Sequence, residues 1–114
     1  MFLFTGADVV PVINRLTPQF TEVYRTVDWH PADHISFHSN VQKGLYPTAE
    51  GECPNSETQL FQTVVVEGPP KLKQTLWPDH CIQGSEGAEF HPELNVTGGH
   101  RIEKGKFEIL ISIV

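Results

Sequence analysis

Basic residues are few in this chain. Eight Lys and Arg stand against fourteen Asp and Glu, a formal net charge of −6, and no local cluster of Lys or Arg offsets the balance. Non-specific attraction to nucleic acid or to an anionic membrane is driven by those two side chains, so both partner classes are disfavoured. Cysteine is scarcer still. Cys53 and Cys81 are too few for the disulfide framework of a small secreted domain and read as free thiols in a reducing compartment. Long apolar runs are missing as well: no window approaches the length that spans a bilayer, and the first residues have neither the basic segment nor the apolar length of a secretory signal. The expectation is a soluble cytoplasmic protein with no membrane and no nucleic-acid partner. Asn95-Val96-Thr97 fits the glycosylation pattern, which matters only in a secreted protein.

What is present suffices for one folded domain. A chain of 114 residues can bury roughly two thirds of the surface it exposes when unfolded, and its apolar residues, 39% of the total, are spread along its length. There is no internal repeat. Residues 7–16 place Val9, Val10, Ile13 and Leu16 on one helical face, with Asp8 as N-cap and Pro11 in the first turn, where its missing N–H costs little. Residues 22–28 read as a strand ending at the His30-Pro31 break. Residues 39–60, rich in Ser, Asn, Gly, Pro and Glu, read as a long surface loop. A second strand is expected over 61–67, closed by Gly68-Pro69-Pro70; a short helix within 85–94, capped by Ser85; a strand at 100–103; and a β-prone apolar run at 109–114. This order predicts an α/β layer arrangement with a mostly parallel sheet.

Two clusters carry the candidate chemistry: Asp28-Trp29-His30-Pro31-Ala32-Asp33-His34, and Leu76-Trp77-Pro78-Asp79-His80-Cys81. Side chains alternate across a strand, so Asp28 and His30 share a face and Trp29 takes the other. That spacing suits two metal ligands, and His80 can supply a third once the fold brings it near. A carboxylate with two imidazoles and open positions is compatible with zinc, iron or manganese. The competing reading is an incidental surface D-x-H in a histidine-rich chain. His34 is a supporting group or an extra ligand, or else caps a turn; His38 and His91 read as structural or exposed. Cys81 beside His80 invites a Cys–His pair, but neighbours on an extended segment point apart, and a buried, unreactive thiol is the better expectation. Trp77 on its own reads as a core residue, and Lys104 as a solvated one.

The motifs together resemble a known family. Asp28-Trp29-His30-Pro31 with His34 and Ser36-Phe37, then Glu67-Gly68-Pro69-Pro70 with Leu72-Lys73-Gln74, then Leu76-Trp77-Pro78-Asp79-His80-Cys81, are similar in order and spacing to the nicotinamidases of the isochorismatase-like cysteine hydrolases, with an insert closer to the animal form. The resemblance runs over residues 6–105 of a single partial domain, 1–114; residues 1–5 and 106–114 lie outside it. It implies a three-layer α/β/α fold and hydrolysis of nicotinamide to nicotinate and ammonia in NAD salvage. It implies Asp28, His30 and His80 as ligands of a divalent metal, zinc first, that would hold the pyridine nitrogen and water. It also implies Trp77 as a wall of the ring pocket and Lys104 as the catalytic lysine that favours a cysteine thiolate. The family's nucleophilic cysteine lies well after that lysine and its catalytic aspartate in a strand before residue 6. Cys81 matches the metal motif instead, and Asp8 matches the first helix. The expectation is a chain truncated or mis-spliced at both ends that binds metal without hydrolysing substrate. The alternative is a non-catalytic metal-binding or regulatory fragment that pairs with its own copies or with the full-length enzyme, and a third reading is a hydrolase working from the metal alone.

Overall fold

The computed structural model describes residues 5–68 and 70–109. Two helices and four strands follow in the order α1 (Val9–Leu16), β1 (Tyr24–Asp28), α2 (His38–Gln42), β2 (Thr63–Val66), β3 (Leu72–Thr75) and β4 (His100–Lys104). β1 and β4 pair in parallel from Tyr24↔His100 to Asp28↔Lys104. Two neighbouring segments extend this ladder beyond β1: the Trp29 N–H donates to the Lys104 carbonyl at 2.8 Å, and His30 forms a parallel bridge with Ile82 on the other side. The parallel pairing agrees with the expected α/β arrangement.

β2 and β3 form an antiparallel hairpin, Thr63↔Thr75 to Val66↔Leu72. Strand alternation turns Val64 and Val66 to the inside, where they meet Ile35, Val41 and Leu76 in the main apolar cluster. β3 escaped the sequence reading because its buried position is Gln74, so Leu72-Lys73-Gln74-Thr75 shows no apolar alternation. The segment after it is fixed by backbone pairing: the Trp77 N–H donates to the Ser36 carbonyl at 2.7 Å, and the His38 N–H to that of Trp77 at 2.8 Å.

Three local expectations need correction. Residues 39–60 are a surface loop only in part. They contain most of α2, and Asn40, Val41, Ala49 and Thr58 are buried. Asparagine amides make this possible by satisfying backbone carbonyls that water would otherwise serve. Asn40 Nδ2 donates to the carbonyls of Ala32 and His34, both at 3.0 Å, and Asn55 Nδ2 to those of Val41 (2.6 Å) and Tyr46 (2.8 Å). The helix expected within 85–94 is only a 3-10 turn, Glu86–Ala88. Asp8 does not cap α1 from an extended backbone; it is itself helical, and its carboxylate accepts the Thr5 N–H at 2.5 Å, closing a turn that precedes the helix. Of the apolar face expected on α1, Val10 is buried while Val9, Ile13 and Leu16 are exposed. Apart from Ile109, the apolar run at 109–114 lies outside the described residues. No helix among the described residues is long and apolar enough to cross a membrane.

Candidate metal centre

Asp28 closes β1 and His30 follows it, so the pleat turns both to one side; Trp29, on the other, lies 4.8 Å beneath the Arg101 guanidinium. His80 arrives through the parallel bridge. The His30 N–H donates to the Cys81 carbonyl at 2.9 Å, and the Gln83 N–H returns to the His30 carbonyl at 2.8 Å. The segment leading to His80 is anchored to α2, where Ser39 Oγ donates to Asp79 Oδ1 at 2.6 Å. In this way His80 joins Asp28 and His30, the latter fifty positions before it in sequence. One ligand atom from each of Asp28, His30 and His80 lies within 4.8 Å of the others, with His30 Nε2 4.0 Å from Asp28 Oδ2.

The orientation of the two imidazoles is informative. His30 Nδ1 lies 3.0 Å from the Gly105 carbonyl, and His80 Nδ1 lies 2.7 Å from that of Pro78. A carbonyl only accepts, so each Nδ1 must donate, and in the neutral ring the lone pair is then left on Nε2. Metal-binding histidines are held in the same way by a carbonyl or carboxylate behind them. With zinc–nitrogen and zinc–oxygen bonds of about 2.1 Å, tetrahedral ligand atoms sit roughly 3.4 Å apart. The donor set fits a divalent metal.

The surroundings divide into a charged side and an apolar floor. Lys104 Nζ stands 3.5 Å from Asp28 Oδ1, leaving Oδ2 toward His30. Lys104 is thus an ion-pair partner of Asp28 and not the solvated lysine that sequence alone suggested. Below, Phe37 is fully buried, with ring centroids 5.3 Å from His80 and 5.9 Å from His30. His34 is 1% exposed and packs 4.2 Å from the His30 ring. Its Nδ1 accepts the Ser36 N–H at 3.2 Å and lies 2.7 Å from Ser36 Oγ, so it backs His30 and stands outside the group of three. His38 Nε2 lies 2.7 Å from the Thr58 carbonyl and His91 is exposed, both matching a structural or exposed reading.

Cys81 is half-buried and takes a left-handed backbone, φ +48°. Burial, and secondarily the Asp28 carboxylate, push its thiol pKa up, which suppresses the thiolate a nucleophile would need. Trp77 is no core residue: it is 45% exposed and meets the Phe61 ring edge-on at 5.6 Å. Gly105, Phe37 and Ser36 were not expected as site residues, whereas His34 in its supporting place was one of the readings the sequence offered. A glycine directly after a strand that ends beside a ligand was the one signal available for the first of them. A cleft of about 390 Å³ lined by Arg25, Phe90, Leu94 and His100 lies toward the opposite end of β1 and β4.

No family model matches the chain. Among curated proteins it is similar to the nicotinamidase of Acinetobacter baylyi, 39% identical over 92 residues that make up 80% of this chain and 35% of the relative. It is also similar to that of Schizosaccharomyces pombe, 38% identical over 105 residues, 87% of this chain and 40% of the relative. The chain therefore spans well under half the length of the curated relatives it matches. Among solved structures, an Acinetobacter baumanii nicotinamidase/pyrazinamidase superposes with a TM-score of 0.66 at 38% identity, covering 94% of this chain and 44% of the other. An L. infantum protein in complex with nicotinate gives 0.57 at 25%, covering 91% and 37%. A Pyrococcus horikoshii pyrazinamidase in complex with zinc gives 0.55 at 22%, covering 94% and 43%, a likeness of fold. The chain is homologous to part of the nicotinamidases and carries part of their α/β fold.

Proposed function

We propose that this chain supplies the metal-binding part of an amide hydrolase acting on nicotinamide, with Asp28, His30 and His80 as ligands of a divalent cation, zinc first. One observation carries the reading: in a chain homologous to nicotinamidases, a carboxylate and two imidazoles converge with each Nδ1 turned back onto a carbonyl. The zinc complex of the P. horikoshii pyrazinamidase supports the choice of metal, and the nicotinate complex of the L. infantum relative supports a pyridine carboxamide as substrate. When bound, the metal would supply a Lewis acid toward a ring nitrogen and water. The residues of the chain have distinct tasks. His30 and His80 present Nε2, and Asp28 presents Oδ2 while Lys104 restrains its other oxygen. The exposed face of Trp77 is available to a flat ring, and buried Phe37 excludes water from beneath the imidazoles.

Nucleophilic attack is not among these tasks. Cys53 packs against the apolar cluster, 3.2 Å from Gln62 Nε2, and burial pushes the Cys81 thiol pKa up. We take residues 6–105 as one partial domain whose 114-residue polypeptide binds metal without releasing ammonia. The exposed apolar side of α1 favours a second reading, a non-catalytic fragment that associates with its own copies or with a complete enzyme.

Zinc uptake by the purified polypeptide, measured against a chromophoric chelator, tests the site. Asp28→Asn, His30→Ala and His80→Ala should each weaken binding beyond the roughly 10–100-fold that a change behind a ligand costs. Zinc affinity equal in all four proteins would end the proposal. Ammonia release from nicotinamide that chelators abolish and thiol reagents spare would instead establish a hydrolase working from the metal alone.

A further inference from the structure

We propose that Gly105 is the positioning residue of the metal centre: its left-handed backbone aims a carbonyl at His30 and commits that imidazole to present Nε2. The inference rests on the ligand set proposed above and adds what makes it competent.

The carbonyls of the residues on either side of Gly105 are both held in place. The Lys104 carbonyl accepts the Trp29 N–H at 2.8 Å, and the Lys106 carbonyl accepts Gln83 Nε2 at 2.9 Å. Between these fixed points the chain turns through φ +62° at Gly105, and the carbonyl of that residue meets His30 Nδ1 at 3.0 Å. Glycine adopts such a backbone freely, asparagine tolerates it, and most L side chains do not.

His30 depends on this bond because little else can replace it. The residue is 6% exposed, and its ring is packed against those of His34 at 4.2 Å and Phe37 at 5.9 Å. Without the carbonyl, the buried Nδ1 loses its acceptor and the proton is free to move to Nε2. There it would occupy the position 4.0 Å from Asp28 Oδ2 that a metal needs as a lone pair. The parallel register that sets Lys104 opposite Asp28 therefore brings the next residue, Gly105, behind the next ligand. One strand end serves two of the three ligands.

The test compares Gly105→Ala with Gly105→Asn, with His30→Ala as reference. The readouts are zinc affinity by chelator competition, side-chain 15N shifts of His30 in the metal-free protein, and a circular dichroism melt. Gly105→Ala should lose zinc affinity about tenfold or more and move the His30 Nε2 resonance toward that of a protonated nitrogen. Gly105→Asn should stay within about twofold of the parent, since it keeps the turn. A folded Gly105→Ala that binds zinc like the parent overturns the proposal, and so does a parent protein whose His30 carries its proton on Nε2. This second readout stands even where Gly105→Ala fails to fold. If His30→Ala binds zinc as well as the parent, the ligand set itself is wrong; a Gly105 effect absent while His30→Ala abolishes binding removes only the role of Gly105.

Discussion

The middle of the chain and its α1–β1–β4 part are built on different principles. Between residues 34 and 77 a set of apolar side chains faces inward: Ile35, Phe37, Val41, Val64, Val66 and Leu76 are all under 3% exposed, while Leu45, Leu60 and Phe61 stay outside it. Around α1, β1 and β4 Val10 and Val27 are buried but most apolar side chains face outward, with Val9, Val12, Ile13, Leu16, Phe20, Tyr24 and Ile102 exposed. That second part is held by polar ties instead. Asn14 Nδ2 donates to the Glu93 carbonyl at 2.9 Å, and Arg25 spans to the carbonyls of Gly98 at 2.7 Å and Asn95 at 3.2 Å. Apolar pattern shows which face a segment can bury, and its neighbours determine whether it does. The candidate metal centre sits where the two parts meet, its three donor residues at the end of β1 and after Trp77, its floor formed by Phe37 of the middle part.

The strongest way to break this contrast is to remove apolar volume from the middle. Leu76 is fully buried and belongs to the main cluster. Leu76→Ala should cost about 2–5 kcal/mol, the lost transfer free energy plus the cavity left behind. Chemical denaturation measures it. A loss under about 1 kcal/mol would mean that the middle part does not carry the stability assigned to it here. Because Leu76 directly precedes Trp77, the variant should weaken zinc binding only in proportion to unfolding.

Tyr46 offers a subtler probe of the same part. It packs against the cluster and its hydroxyl donates to the Asp33 carbonyl. Burial first, then the charges of Asp33 and Glu108, push its pKa up to about 12. The folded state thus keeps a proton that the unfolded chain surrenders near its ordinary value of about 10. The stability tied to Tyr46 is fully present below about pH 10 and is lost as pH rises toward about 12. Melts between pH 9 and 12 should show a decline that Tyr46→Phe flattens. An unchanged slope in the variant would place the alkaline loss elsewhere.

The same contrast explains what the sequence disclosed. Asp28-x-His30 was legible because strand alternation is local, and His80 because it shares a motif with Trp77. The parallel strand at 100–104 was read nearly to its ends, since Arg101-Ile102-Glu103 alternates. β3 and α2 were not legible. Gln74 occupies an inward position that composition assigns to an apolar residue, and Asn40 and Asn55 satisfy buried carbonyls from within a stretch that composition assigns to solvent. Gly105 was hidden for a different reason: its role lies in where a carbonyl points, which follows from β1–β4 register, and a glycine after the strand signals only a turn.

The smallest effect is expected on α1, and it sharpens the comparison most. Ile13 was an obvious core candidate by helical spacing, yet it is 38% exposed. Ile13→Ser removes apolar surface that water already reaches, so the transfer term is small, and a helix of eight residues (Val9–Leu16) adds little intrinsic stability of its own. The variant should unfold within about 0.5 kcal/mol of the parent, as surface substitutions do. It should also be the better behaved protein, because it breaks a contiguous apolar face that invites self-association. A loss near that of Leu76→Ala would show that the α1 face is covered in solution. Sedimentation of the parent would then separate the two ways this can happen. A concentration-dependent mass would mean copies of the chain cover one another, and a constant monomer mass would mean α1 folds back on its own chain.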